Sequence, residues 1–250
     1  MPASKPTIAI SYYEDRGNPL KHQLFDRLRS WTDLRILHPE TEHPDLAEMG
    51  FDFYHMAAWR HAALADLRRA RKAEVPTLNS YHGAATTEDR LARCRTLRNE
   101  GVRVPPFEFG RAEQITLGPP VLVKPRHELG DGGHEFRVVY SGSLEFDGER
   151  FVERYVVPRR SYKIFGVGDQ TRATRHIPPD GTPKEVETPR RFRELTAEIA
   201  DLFDLGLFEL DVVVHKGLYV IDVNPVVSLA GVDDAVDIYE SLLREAVRSA

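Results

Sequence analysis

Asp211, Asp222 and Asn224 are three hard oxygen donors in two apolar runs, LFELDVVV and LYVIDVNP, joined by the turn His215-Lys216-Gly217. With a side-chain period of two, Asp222 and Asn224 share one strand face, and antiparallel pairing can bring Asp211 beside them. Such a set suits Mg²⁺, which takes few protein oxygens and leaves positions for phosphates; polar residues that merely end strands and face solvent are the plainer alternative. Upstream, VLVKP closes a strand on Lys124, and RHELGDGGHEF then carries Gly130, Gly132 and Gly133. Glycines let backbone N–H groups approach anionic oxygens and the lysine adds positive charge, so this segment reads either as a phosphate clamp or as an ordinary hairpin turn. It is not a Walker motif, because no G-K-[ST] follows.

Three further segments carry candidate groups. Lys163, in SYKIFGVGD, lies inside an apolar strand, where an ammonium requires a partner or an anionic ligand. Glu153, Tyr155 and Val156, just before a proline, suit either a hinge that hydrogen-bonds adenine through its backbone or a plain buried strand. His134, by itself, suits a half-buried residue opening a strand. His215 reads as part of a turn.

The elements that must position these groups come in two styles. From the amino terminus, short strands at Thr7 to Ser11, Leu34 to Leu37, Phe51 to Met56 and Pro76 to Ser80 alternate with helical stretches. One helix opens at Pro19, with Leu20, Leu24, Phe25 and Leu28 as its stripe, and another spans Ala57 to Ala73. That alternation implies a small parallel α/β lobe, with Tyr81-His82-Gly83 as a strand-end loop placed for ligand contact. Thr87 is expected to cap a helix that Gly101 stops. Beyond Gly118-Pro119-Pro120 strands dominate: Val121 to Lys124, Phe136 to Ser141, Phe151 to Val156 and Tyr162 to Val167. The polar stretch Pro178 to Pro189 reads as a mobile loop. Helices over Pro189 to Leu205 and Val232 to Val247 flank the hairpin that carries the acids. The composition shifts near Gly110, and the domains are expected at 1–85, an amino-terminal α/β lobe, and 86–250.

Composition narrows the classes. The 250 residues are enough for one or two joined domains with a substantial core. A formal net charge of -5 argues against nucleic acid as a partner. The single cysteine, Cys94, excludes an intramolecular disulfide and a cysteine metal cage. No apolar run reaches membrane-spanning length and MPASKPTIAI lacks a signal-peptide core, so a cytoplasmic protein without a membrane partner is expected, as monomer or homodimer.

The order of lysine strand, glycine-rich loop, hinge strand, Tyr-Lys strand, Asp and Asp-x-Asn resembles the ATP-grasp superfamily, over roughly Thr87 to Val247. The resemblance implies an α/β and α+β fold in which two α+β subdomains clamp ATP after a small parallel lobe. It implies ATP and Mg²⁺ as cofactors, Lys124 on the phosphates, Glu153 to Val156 as the adenine hinge, and Asp211, Asp222 and Asn224 as magnesium ligands. Arg90 stands where a family lysine often occurs. Within the superfamily, VLVKP and DVNP resemble RimK-like carboxylate–amine ligases, although Asp222 replaces their usual glutamate and their later Asn-x-x-x-Gly-Gly segment is missing. Gly133-His134-Glu135-Phe136, Tyr162-Lys163-Ile164-Phe165 and DVNPVVSLAGV resemble ATP-grasp inositol polyphosphate kinases, whose lysine-rich amino-terminal lobe this chain lacks. The expected activity is therefore transfer of the γ-phosphoryl group to a small-molecule or peptide carboxylate, with capture by an amine. A kinase acting on an alcohol is the alternative. His134 and Lys163 are the expected catalytic residues, and Tyr81, His82, Arg159, Arg160 and Arg175 are candidates for substrate contact.

Overall fold

The computed structural model describes residues 5–15, 18–130, 135–176 and 181–250. The chain begins as an α/β run of β1 (Thr7–Ser11), α1 (Pro19–Arg29), β2 (Asp33–Leu37), β3 (Phe53–Met56), α2 (His61–Lys72) and β4 (Thr77–Leu78). Two short helices follow, α3 (Tyr81–Glu88) and α4 (Arg90–Asn99). Next come β5 (Phe107–Gly110), β6 (Val121–Lys124), β7 (Arg137–Val139) and β8 (Arg150–Arg154). The remainder is β9 (Arg160–Val167), β10 (Gln170–His176), β11 (Pro183–Val186), α5 (Arg190–Phe203), β12 (Leu207–Val214), β13 (Leu218–Asn224) and α6 (Ala235–Arg248). The sheets run β2-β1-β3-β4, β5-β8-β6-β7 and β11-β10-β9-β12-β13. Two compact units result: Met1–Ala84 with Ile164–Glu209 and Asn224–Ala250, and Ala85–Lys163 with Leu210–Val223.

In the first unit β1 pairs in parallel with β2 and β3, as the strand–helix alternation requires. Ile8 and Ile10 of β1 and Phe53 of β3 point to one face, where Leu24, Phe25 and Leu28 of α1 meet Ile238, Tyr239 and Leu243 of α6. Each such side chain contributes about 1.5–3 kcal/mol when fully buried. Tyr54 points the other way, and its hydroxyl donates to the Ala63 carbonyl of α2 at 3.0 Å. Helices thus cover both faces, so only the strand ends stay open for a ligand. Asn18 caps α1 by accepting from the Lys21 N–H at 3.3 Å, with Pro19 opening the helix.

In the second unit the antiparallel sheet has two apolar faces. Val121, Val123 and Val152 form one, against Ile115, Leu117, Val139, Leu144 and Phe146. Phe151, on the other face, meets Leu91 and Cys94 of α4 with Phe107 and Phe109 alongside. That contact lays α4 on the face that also carries Lys124 and Glu153.

Several expectations change. Tyr81-His82-Gly83 is not a loop but the first turn of α3. Gly83 is needed for packing, because an added Cβ would lie 1.8 Å from the Phe203 carbonyl oxygen. Thr87 lies inside α3, and the cap of α4 is Asp89, whose Oδ1 accepts from Leu91 N at 3.0 Å and Ala92 N at 3.2 Å. The second expected helix starts four residues late, at His61, because Ala57 to Arg60 leave β3 in extended or loop form. Within the expected loop Pro178 to Pro189, Pro183–Val186 pairs antiparallel with β10, from Ala173↔Val186 to His176↔Pro183. These two polar strands are held by backbone pairing and carry little apolar alternation.

Candidate functional site

Register decides what the sheet face presents. In the β6–β8 ladder Leu122 lies opposite Glu153 and Lys124 opposite Phe151, so Lys124 and Glu153 project from the same side. Lys124 forms an ion pair with Glu153, which is almost wholly buried. Glu153 also sits between Phe107 and Leu122 in the sheet. It is therefore the counter-ion of Lys124, and it does not offer free backbone to adenine as the hinge expectation held. Tyr155 N donates to the Pro120 carbonyl at 3.0 Å.

Above this face lies α4, which contributes two arginines. Arg93 Nη1 donates to Glu128 Oε1 at 2.6 Å and to the Thr87 carbonyl at 3.0 Å, and stands 2.7 Å from Asp222 Oδ1. Arg90 Nη1 donates to the Pro125 carbonyl at 2.8 Å, with its Nε 3.6 Å from Glu128 Oε1. Both guanidiniums and Glu128 are buried. Burial raises the Glu128 carboxyl above the usual range, more strongly than Arg93 lowers it. Asp222 moves the other way: burial would raise it, but Arg93, Lys124 and Arg90 together hold it below the usual carboxylate range. Burial also pushes the Cys94 thiol up to about 11, in keeping with a packing residue.

The structure distributes the sequence-predicted residues unevenly. Lys163 finds the partner its strand position demands, with Nζ 3.1 Å from Asp211 Oδ1. Arg90 is tied to the carbonyls beyond β6 and not presented openly to a phosphate. Asp211 and Asp222 both belong to the second unit, with side chains 40% and 31% exposed. Asn224 opens the last segment of the first unit, where its Oδ1 accepts from Val226 N at 2.9 Å. Gly130 has room for a side chain, since an added Cβ would meet His127 only at 3.5 Å. Gly132, Gly133 and His134 lie outside the described residues. Tyr81 and His82 begin α3, and Arg175 lies opposite Lys184 on β10.

Among the described residues, no cluster of three or more His, Cys, Asp or Glu side chains is arranged to hold a metal ion. The candidate magnesium set has two partly open carboxylates and an amide, a hard-oxygen set that fits a cation keeping water and phosphate ligands. Arg93 and Glu128 were missed by sequence reasoning. Arg93 had a signal: Arg90, Arg93, Cys94 and Leu97 follow the i, i+3, i+4, i+7 spacing of a buried helix face. Glu128 had none beyond its place after VLVKP.

No protein-family model matches the chain, and no curated protein matches it. Solved structures do. A RimK domain ATP-grasp protein from Sphaerobacter thermophilus superposes with a TM-score of 0.76 at 16% identity, covering 95% of this chain and 99% of the other. D-alanine–D-alanine ligase from Bacillus anthracis complexed with ATP gives 0.74 at 16% identity, covering 98% and 97%. The ATP-grasp ligase PsnB, complexed with precursor peptide PsnA2 and AMPPNP, gives 0.72 at 14% identity, covering 98% and 99%. The parallel amino-terminal sheet and the two sheets after it have the ATP-grasp fold of these solved structures.

Proposed function

We propose that this chain is an ATP-dependent ligase that activates a carboxylate by phosphorylation and joins it to an amine. The observation that carries the reading is the fold, matched over at least 95% of both chains by ligases and a RimK-type protein. The charge layout of the second unit supports it. Lys124 and Lys163 each stand beside a carboxylate, so each ammonium is fixed in place. A fixed ammonium stabilises charge on a transferring phosphoryl without reorganising at the moment of reaction.

In this reading an acceptor carboxylate oxygen attacks the γ-phosphorus, ADP leaves, and an amine then attacks the acyl carbon and expels phosphate. Lys124 holds the nucleotide phosphates and Lys163 the moving group, while Arg93 keeps the Asp222 carboxylate ionised. Asp211, Asp222 and Asn224 would hold Mg²⁺, which neutralises charge on the β- and γ-phosphates. The acceptor class includes peptides, because PsnB, of the same fold, is complexed with a precursor peptide.

The test is product analysis with Mg-ATP, a pooled metabolite and peptide extract, and hydroxylamine. A ligase yields ADP, free phosphate in equal amount and a hydroxamate from the trapped acyl phosphate. ADP without matching phosphate would instead mean that the phosphoryl group stayed on an alcohol, as in a kinase. Lys124→Ala should weaken ATP binding by about tenfold or more in calorimetry, the loss expected for one charge-assisted contact.

A further inference from the structure

The first unit carries a polar cluster that the nucleotide chemistry does not use. Its parallel sheet runs β2-β1-β3-β4, so the chain leaves β1 towards β2 on one side and crosses to β3 on the other. In open sheets of this kind a ligand binds beyond the carboxyl ends of the strands where the order reverses, here between β1 and β3. Three segments emerge there: Tyr12-Tyr13 after β1, His38 to Glu40 after β2, and Ala57 to Arg60 after β3.

Arg60 is the centre of that group. Its Nε donates to the Tyr13 hydroxyl at 2.7 Å, and its Nη1 donates to the Trp59 carbonyl at 2.7 Å. The guanidinium also lies 5.5 Å from the centre of the Tyr13 ring, which the His38 ring meets edge-on at 5.4 Å. Glu40 would be the obvious consumer of the guanidinium, yet its short bond is to the Tyr13 hydroxyl, and it reaches only Nε of Arg60, at 3.4 Å. The remaining Nη N–H groups find no acceptor among the described residues, and the side chain is 34% exposed. A guanidinium pinned on two sides with its fork open is a preorganised receptor for a planar two-oxygen anion.

We propose that Arg60, held by Tyr13 and Trp59, binds a carboxylate of the acceptor substrate at the switch point of the first unit's sheet. The identification of that anion with the acceptor rests on the ligase reading, whereas the binding itself does not. Tyr13 acts as the positioning residue, since its phenol is the pin that Glu40 orients.

The experiment uses the full chain labelled with ¹⁵N-arginine, titrated without nucleotide with glutarate as the carboxylate probe and inorganic phosphate as control. The Arg60 Nε–H resonance, assigned by its loss in Arg60→Gln, should shift saturably with glutarate. Arg60→Lys, which keeps the charge without the fork, should weaken binding by about tenfold. Tyr13→Phe should weaken it about fivefold, the effect of one lost hydrogen bond. An unmoved resonance overturns the proposal, as does a phosphate affinity equal to that for glutarate, or an undiminished affinity in folded Arg60→Lys. The ligase reading fails separately: no hydroxamate from wild-type protein whose Arg60 still responds to glutarate removes that reading and leaves the site standing.

Discussion

The two units each bury a charged side chain, and they neutralise it by opposite means. In the first unit Lys21 of α1 is 2% exposed, and its Nζ donates to the Tyr239 hydroxyl at 3.1 Å and lies 4.3 Å from that ring's centre. Burial pulls its ammonium down to about 7, against the pull of Glu209. The same hydroxyl stands 2.6 Å from Nε2 of His55, which burial and the nearby Lys21 drive down to about 3. His55 Nδ1 has no partner among the described residues. In the second unit Arg93, equally buried, keeps its charge because Glu128 and Asp222 bring opposite charges to 2.6 and 2.7 Å. Burial can thus be met by losing the proton or by finding a counter-ion. A guanidinium cannot take the first route, which is why the arginine sits with the acids and the lysine among aromatic rings.

The strongest way to break this contrast is to remove the counter-ion. Arg93→Met takes away the nearest cation of Glu128 and Asp222, leaving them only Arg90 and Lys124, and should cost about 3–5 kcal/mol of stability. Urea unfolding followed by circular dichroism measures it. A loss below about 1 kcal/mol would show that water, and not Arg93, carries the charge of this network.

Lys21→Met should do the reverse. Holding the ammonium near 7 and not 10.5 costs on the order of 4–5 kcal/mol at neutral pH, part of which the Tyr239 hydrogen bond and ring offset. The substitution should therefore raise stability by about 2 kcal/mol at pH 7. The sign with pH follows from the lowered folded value. Below about 7 Lys21 is charged in both states and the full penalty applies; above the unfolded value of 10.5 it is neutral in both and the penalty is gone. Wild type should thus gain on Lys21→Met as the pH rises from 7 to 10, and parallel unfolding curves across that range would reject a titrating Lys21.

Neither cluster could be read in the sequence to the same degree. The hairpin Leu207–Val214 and Leu218–Asn224 was legible because β-branched alternation and a glycine turn are local signals. The role of Lys163 was half legible: an ammonium in an apolar strand announces a partner without naming Asp211. Arg93 left a trace in helical spacing. Lys21, His55 and Tyr239 left none, because their contacts span 218 and 184 positions and each residue alone suits a solvated helix or a core strand. The strands β10 and β11 were hidden for a related reason, since QTRATRH and PKEV have too few apolar residues to show a period.

The helix caps give a smaller version of the same comparison. Thr87 and Asp89 both suit the start of a helix by residue type, and only the structure shows that Asp89 caps α4. Asn18 makes one capping bond, at 3.3 Å, to α1 in the first unit. Asp89 makes two, at 3.0 and 3.2 Å, and also receives Arg126 Nε at 2.9 and 3.0 Å and its Nη2 at 2.5 Å. The cap of the second unit is thus doubled by an ion pair, as its buried arginine was. Asp89→Ala should cost about 2 kcal/mol and Asn18→Ala about 0.5 kcal/mol. Asp89→Asn separates the two parts, because an amide still caps but no longer attracts Arg126 as a charge. If capping dominates, Asp89→Asn keeps most of the stability; if the ion pair dominates, it loses nearly as much as alanine, and that loss shrinks in high salt.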